Sequence, residues 1–244
     1  MAETKAQAAT RLQTHLEAVS RRRAGALAVP GARTAVMALR RWQSDRLART
    51  YPDLLAHPRY NAPARFFFEE LYGPKDFSQR DADVLRILPK MRALLPAAAL
   101  STIADAIELD SLSETLDAAL LAELGAAPLN EASYARAYRA CDNRELRARQ
   151  IEFVTTTGAD LDALTRIPLL ESTIRLMGAP ARLAGLASLH DFLATGFSTF
   201  KKMGGADQFL GTIVARETIL MDRLFDGAPD PFAGLAAAAP GTAR

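Results

Sequence analysis

The chain has 244 residues, 49% of them hydrophobic and 24% charged, with a net charge of +2. That length and apolar content support one large packed core or two small ones and argue against wholesale disorder. Near-neutrality excludes a polyanion-binding role for the chain as a whole, and a single cysteine, Cys141, excludes an internal disulfide or a multi-cysteine zinc site.

Residues 1–50 hold ten Lys or Arg against three Asp or Glu, so about +7 of charge sits there and about −5 in the rest. From about Glu3 to Leu27, Leu12, Leu16 and Val19 share one stripe at the helical period, and Val29-Pro30-Gly31 ends the segment. A second helix is expected from Arg33 to Thr50, carrying Val36, Leu39, Trp42 and Leu47. Pro52, Pro58 and Pro63 then punctuate a looser stretch that reads as a boundary between a basic arm and a main bundle.

From Pro63 a short helix holds Phe66-Phe67-Phe68-Glu69-Glu70-Leu71-Tyr72 and stops at Gly73-Pro74. Ser78 and Asp81 have the spacing of a capping box, opening a helix with Val84, Leu85, Leu88, Met91 and Leu95 on one face and Pro89 as a kink opposite. Ser111 and Glu114 repeat that spacing before Leu112, Leu116 and Leu120, and Gly125 closes the helix. Asn130 caps a segment with Tyr134 and Tyr138; Arg144 to Ile167 is helical in composition, weakened in the middle at Thr155-Thr156-Thr157-Gly158. A short helix after Pro168 ends at Gly178-Ala179-Pro180. A helix from Pro180 to about Met203 follows, then Gly204-Gly205, then one from Asp207 to Phe225.

The expected architecture is therefore all-α, a bundle of about eight to ten helices by apolar periodicity. It divides into a basic N-terminal helical arm (1–50), the bundle (51–226) and a disordered Ala/Gly/Pro-rich tail (227–244). The polar, charged start has no apolar core of a signal peptide, and no apolar run approaches a membrane span, so a cytoplasmic location without membrane contact is expected. The Ala and Arg excess suggests a bacterial source with a GC-rich genome.

Placing helices on a wheel shows which ionisable groups fall inside apolar arcs. Glu217 lies amid Phe209, Leu210, Ile213, Leu220 and Leu224; His190 lies with Leu186, Leu189, Leu193 and Phe197; Glu70 projects between Phe66 and Phe67; Arg80 and Asp81 fall on the inward side of their helix. A buried carboxylate must be paired, hydrogen-bonded, protonated or metal-bound. One reading is a structural network in which Glu70 or Glu217 meets Arg80, Arg216 or Tyr72, with Asp81 beside them. The other gathers Glu70, His190 and Glu217 as a metal site between facing helices. Against the metal, no Glu-x-x-His occurs and the chain has only three histidines. Lys201, Lys202, Gly204 and Gly205, before a helix N-terminus, could hold an anion or form a plain turn. Trp42 with Arg40-Arg41 could stack on a base or pack the arm onto the bundle. Cys141 reads as a small apolar residue.

No dinucleotide-binding turn, phosphate-binding loop, nucleophile elbow or metalloprotease helix is present. No cofactor is expected. The segment Phe66–Tyr72, followed by Gly73-Pro74, resembles the signature of an uncharacterised bacterial family named for its FFLEELY motif, with Phe68 where the family has Leu. The resemblance continues through Ser78 to Asp83, through Ile103 to Leu109, and through Gly204-Gly205 to Glu217. It implies a helical bacterial protein of unassigned activity and carries over no catalytic residue. In the motif, Phe66, Phe67, Leu71 and Tyr72 would wedge the helix into the core, with Glu70 pinning its register and Glu69 facing outward. The functional expectation is a non-enzymatic protein working by protein–protein contact, as a homo-oligomer or with a protein partner. The alternatives are a metal-binding or enzymatic bundle and nucleic-acid association through the arm.

Overall fold

Every segment with a leucine stripe is helical. The computed structural model describes residues 3–27, 30–71, 73 and 77–237, with the side chains of 26, 27, 70 and 71 outside that description, and among the described residues there is no strand. Helix α1 (Lys5–Leu27) buries Leu12, Leu16 and Val19 completely. It packs them with Val84, Leu88 and Met91 of α5 (Ser78–Leu94) and with Leu100, Ala104 and Ile107 of α6 (Ala97–Leu124). The basic N-terminal section is thus built into the bundle rather than projecting from it as an arm. Burial of three such side chains is worth roughly 1.5–3 kcal/mol each.

At 28 residues, α6 is about 42 Å long and forms the spine. Helix α1 lies along its first half, and α7 (Glu131–Ala140) and α8 (Arg144–Leu164) lie along other parts of it. Ser111 and Glu114 do not open a helix. They sit in mid-α6, where Glu114 is buried. Helix α8 is likewise unbroken at Thr155-Thr156-Thr157, because Gly158 brings the backbone against Leu210. The Asn130 cap forms as expected, as a reciprocal pair with Ser133. The Ser78 box does not: Phe77 is the cap position, without a side-chain cap, and Asp81 faces the interior.

Helix α2 (Ala32–Thr50) runs straight into the proline-punctuated stretch, which is core rather than linker: Tyr51, Leu54 and Tyr60 are buried on or beside α3 (Pro52–Ala56). Helix α4 (Asn61–Arg65) then widens into a π-helical turn, Phe66–Leu71, that drives Phe66, Phe67 and Phe68 inward. Phe66 lies against Gly196, Phe68 is tilted against Tyr51, and Glu69 stays exposed beside Arg65. Gly73 ends the turn because any Cβ there would lie 2.1 Å from the Glu69 carbonyl oxygen.

The segment expected as one helix from Pro180 is broken. Helices α9 (Leu170–Leu176) and α10 (Gly178–Leu183) precede α11 (Ala187–Met203), with Gly185 at φ 71° turning the chain between α10 and α11. Helix α12 (Asp207–Asp226) packs along α8 and α7. Beyond it, residues 227–237 fold back: Phe232 meets the edge of Trp42, and Leu235 is buried in a short 3-10 turn (Leu235–Ala237). The rest of the tail lies outside the described residues.

Candidate functional site

Where α2, α6, α7, α8 and α12 converge they leave a cavity of about 90 Å³. Its lining is part apolar, with Leu47, Val154, Ile213 and Leu220, and part polar, with Gln43, Arg46, Asp117, Arg147, Gln150 and Glu217 beside Tyr134 and Tyr138. Space of that size with polar lining is room for several waters or a small molecule.

The polar wall is held by crossed partnerships between helices. Arg46 of α2 pairs with Glu217 of α12, and the Tyr51 hydroxyl donates to the same carboxylate at 2.8 Å. Burial works most strongly against the Arg46 charge, but Glu217, joined by Tyr134 and Tyr51, holds the guanidinium above its ordinary pKa. Burial pushes the Tyr51 hydroxyl well up, and Glu217 adds to the effect. Gln43 donates to Asp117 at 3.0 Å; burial still raises the Asp117 carboxyl above the ordinary carboxylate range. Gln150 donates to Ser113 at 2.8 Å and accepts from Arg147 Nη1 at 3.2 Å.

Arg147 departs from this pattern. It is 6% exposed, lies over the Tyr138 ring at 4.6 Å, and makes no ion pair among the described residues. Its Nε and Nη2, together with Nε of Arg46, are buried without a hydrogen-bond partner. Groups that can only donate, left unmet on a cavity wall, suit an acceptor.

Behind this wall runs a second buried network. Arg23 donates to Asp81, to Asp110 at 2.8 Å and to Glu114 at 2.9 Å; Arg80 adds contacts of 3.4 Å to Asp81 and Asp110, and Arg40 reaches Glu114. Burial raises the Asp81 carboxyl, against the pull of Arg23 and Arg80.

Of the residues singled out by the wheel, Asp81 is buried and Arg80, His190 and Glu217 are half-buried, and they are not all together. Glu217 meets Arg46 and Tyr51 rather than the expected arginines. Arg80 serves Asp81 and Asp110, and Arg216 grips Asp53 at 2.7 and 2.8 Å. The Glu70 side chain and Tyr72 lie outside the described residues. His190 spends Nε2 on the Ile174 carbonyl at 2.8 Å, with Asp191 3.4 Å from its Nδ1. Each of His190 and Glu217 thus has its own partners, and among the described residues no three His, Cys, Asp or Glu side chains are grouped to hold a metal ion.

At the glycine turn, Lys201 pairs with Glu171, and Arg59 caps α11 by donating to the carbonyls of Met203 (2.6 Å), Gly204 (3.2 Å) and Gly205 (3.1 Å). Trp42 is stacked on Tyr134 with ring centroids 4.2 Å apart, packing α2 onto the bundle. Burial pushes the half-buried Cys141 thiol up, away from the thiolate form.

Sequence reasoning missed Arg46, Asp117 and Arg147. Arg147 shares a helix face with Ile151, Val154 and Gly158, so the wheel applied to an uninterrupted α8 would have found it. Asp117 lies beside the arc of Leu116, Leu120 and Leu124, so the wheel on that segment also carries its signal.

A family model described as a domain of unknown function (DUF8198) matches residues 22–231. No curated protein and no solved structure matches the chain. No described helix is long and apolar enough to cross a membrane.

Proposed function

Because the chain belongs to that family of unassigned function, we propose from its own residues that it is a non-enzymatic helical protein acting by protein–protein contact. The partner is a second copy, met through α9 and α10. The N-terminal section, expected to make such contacts, spends its apolar side, with Leu12, Leu16, Val19 and Leu39, on the interior. The most exposed leucines among the described residues are Leu183 (91% exposed), Leu169 (78%) and Leu176 (76%). They flank a small core of Leu164, Leu170 and Phe197, against which Leu95, Ile167 and Ile174 pack, and Leu94 is exposed at the same end of the molecule.

The observation that carries the reading is Leu169. Its φ is 67°, a left-handed conformation that bulky residues avoid at a cost of about 1–2 kcal/mol. Its side chain is in water, so folding gains nothing from that strain, whereas an apolar contact would. Glu171 and Arg175, a turn apart on α9, and Arg182 on α10 give the surface both signs of charge, as a two-fold self-contact requires. The Phe66–Tyr72 motif supports the narrower assignment to FFLEELY-motif proteins and a bacterial source, and a chain with one cysteine fits a cytoplasmic one.

Sedimentation equilibrium over a concentration series tests the pairing. Wild type should show a monomer–dimer equilibrium. Leu176→Glu/Leu183→Glu should be monomeric and melt as wild type does at concentrations where wild type is itself monomeric, since neither side chain is packed within the chain. Leu169→Gly should melt higher while dimerising less tightly. A wild type that stays monomeric at every concentration, or a double variant that dimerises equally, defeats the reading.

A further inference from the structure

Independently of that surface, we infer that the interior cavity between α2, α6, α7, α8 and α12 is a binding site for a small zwitterion, an α-amino acid with a short aliphatic side chain. The ligand carboxylate would be gripped by Arg147 and its ammonium would face Asp117.

The first support is which donors of Arg147 are unmet. In a guanidinium, Nε–H and one Nη2–H lie on the same edge and point the same way, as a two-pronged fork that matches the two oxygens of a carboxylate. Those are the two nitrogens left without partners, while Nη1 is already occupied by Gln150. Tyr138 beneath the plane and Gln150 at its far edge fix the orientation of the fork. A buried charge with no partner is costly, and an arriving carboxylate removes that cost.

The second support is charge balance. Arg46 and Glu217, in direct contact on the cavity lining, neutralise each other. Asp117, on the same wall system, receives its one hydrogen bond from the neutral amide of Gln43, and Arg40 comes only to 3.9 Å. Arg147 and Asp117 therefore line one small space with no hydrogen bond between them; the charge of Arg147 favours the Asp117 carboxylate, and Arg40 meets it only at the outer limit of an ion pair. A simple monoanion would satisfy Arg147 and be repelled by Asp117. A zwitterion satisfies both ends and leaves the net charge unchanged. The apolar part of the lining, with Val154, Ile213 and Leu220, suits an aliphatic side chain, and the volume of about 90 Å³ limits its size.

Calorimetric titration and thermal melting of the full chain with L-alanine, L-valine and L-leucine test this, beside their deaminated counterparts propionate, 3-methylbutanoate and 4-methylpentanoate. At least one amino acid should bind and raise the melting temperature. Its deaminated counterpart should bind at least about tenfold more weakly, because Asp117 is then left facing an anion with no donor. Arg147→Met should abolish the response without lowering the melting temperature of the unliganded protein, a sign that a merely structural arginine would reverse. Asp117→Asn, which keeps the shape and the Gln43 contact, should weaken amino-acid binding about tenfold or more while narrowing the preference over the deaminated acid. The inference is overturned if none of the amino acids binds wild type. It is equally overturned if a deaminated acid binds as tightly as its amino acid, or if Arg147→Met or Asp117→Asn binds as wild type does.

Discussion

Arg23, near the end of α1, donates to the carboxylate of Asp81, a side chain with no solvent exposure at the start of α5 and 58 residues away in the chain. The same guanidinium reaches Asp110 and Glu114 on α6, so one arginine ties three helices. Removing one member of such a buried set leaves its partners charged and unsolvated. Arg23→Ala should therefore cost about 3–5 kcal/mol, read from urea unfolding. Arg23→Met combined with Asp81→Asn should cost less than the sum of the two single changes. Additive losses, or a loss under about 1 kcal/mol for Arg23→Ala, would show that the contact is not what holds α1 in place.

The acid limb of stability should be governed by carboxylates with opposite signs. The bidentate hydrogen bond from Arg216 holds Asp53 below its ordinary value. A depressed carboxylate contributes stability that is complete above its unfolded value of ~3.9 and disappears as the pH falls through the lower folded value. Asp81 and Asp117, raised by burial, behave oppositely: the native state holds their protons longer, and their contribution declines as the pH rises from ~3.9 through the raised folded values. Asp53→Asn should accordingly destabilise at neutral pH, with the difference from wild type closing in strong acid. Asp117→Asn should stabilise the unliganded protein at neutral pH and make little difference in strong acid. Melting curves across this range check both, and a pH-independent gap for Asp53→Asn would contradict the assignment to Arg216.

The helices were legible because their apolar residues keep the 3.6-residue period, as Leu12, Leu16 and Val19 do. Local signals failed where tertiary burial overrode them. Ser78–Asp81 and Ser111–Glu114 have capping-box spacing, yet Asp81 and Glu114 are drawn inward by Arg23, a residue no local window contains. Gly158 looked like a weakness in α8 and is instead a point of close approach to Leu210. The wheel placed Glu217 inward, but the identity of its partner, Arg46, is a property of how α2 crosses α12, 171 residues apart. Faces follow from sequence spacing; which faces meet does not.

Two glycines on helices give the sharpest test of that distinction, because the same substitution should have opposite signs. Glycine in a helix interior costs roughly 0.5–1 kcal/mol relative to alanine, so Gly→Ala is favourable wherever the methyl has room. At Gly25, in the last turn of α1, an added Cβ meets nothing within 4 Å, and Gly25→Ala should stabilise by about that amount. At Gly196 in α11 the Cβ would lie 2.7 Å from Cζ of Phe66 and 3.2 Å from its Cε1. Phe66 cannot withdraw easily: it is buried, tilted against Phe192 at 5.4 Å, and carried by the π-helical turn whose other phenylalanines fill the core behind it. Overpacking of this kind costs about 1–3 kcal/mol, which exceeds the helical gain. Gly196→Ala should therefore lower the urea midpoint while Gly25→Ala raises it. Pairing Gly196→Ala with Phe66→Leu, which shortens the clashing ring, should recover part of the loss; no recovery would mean that Gly196 is required for something other than the seat of Phe66.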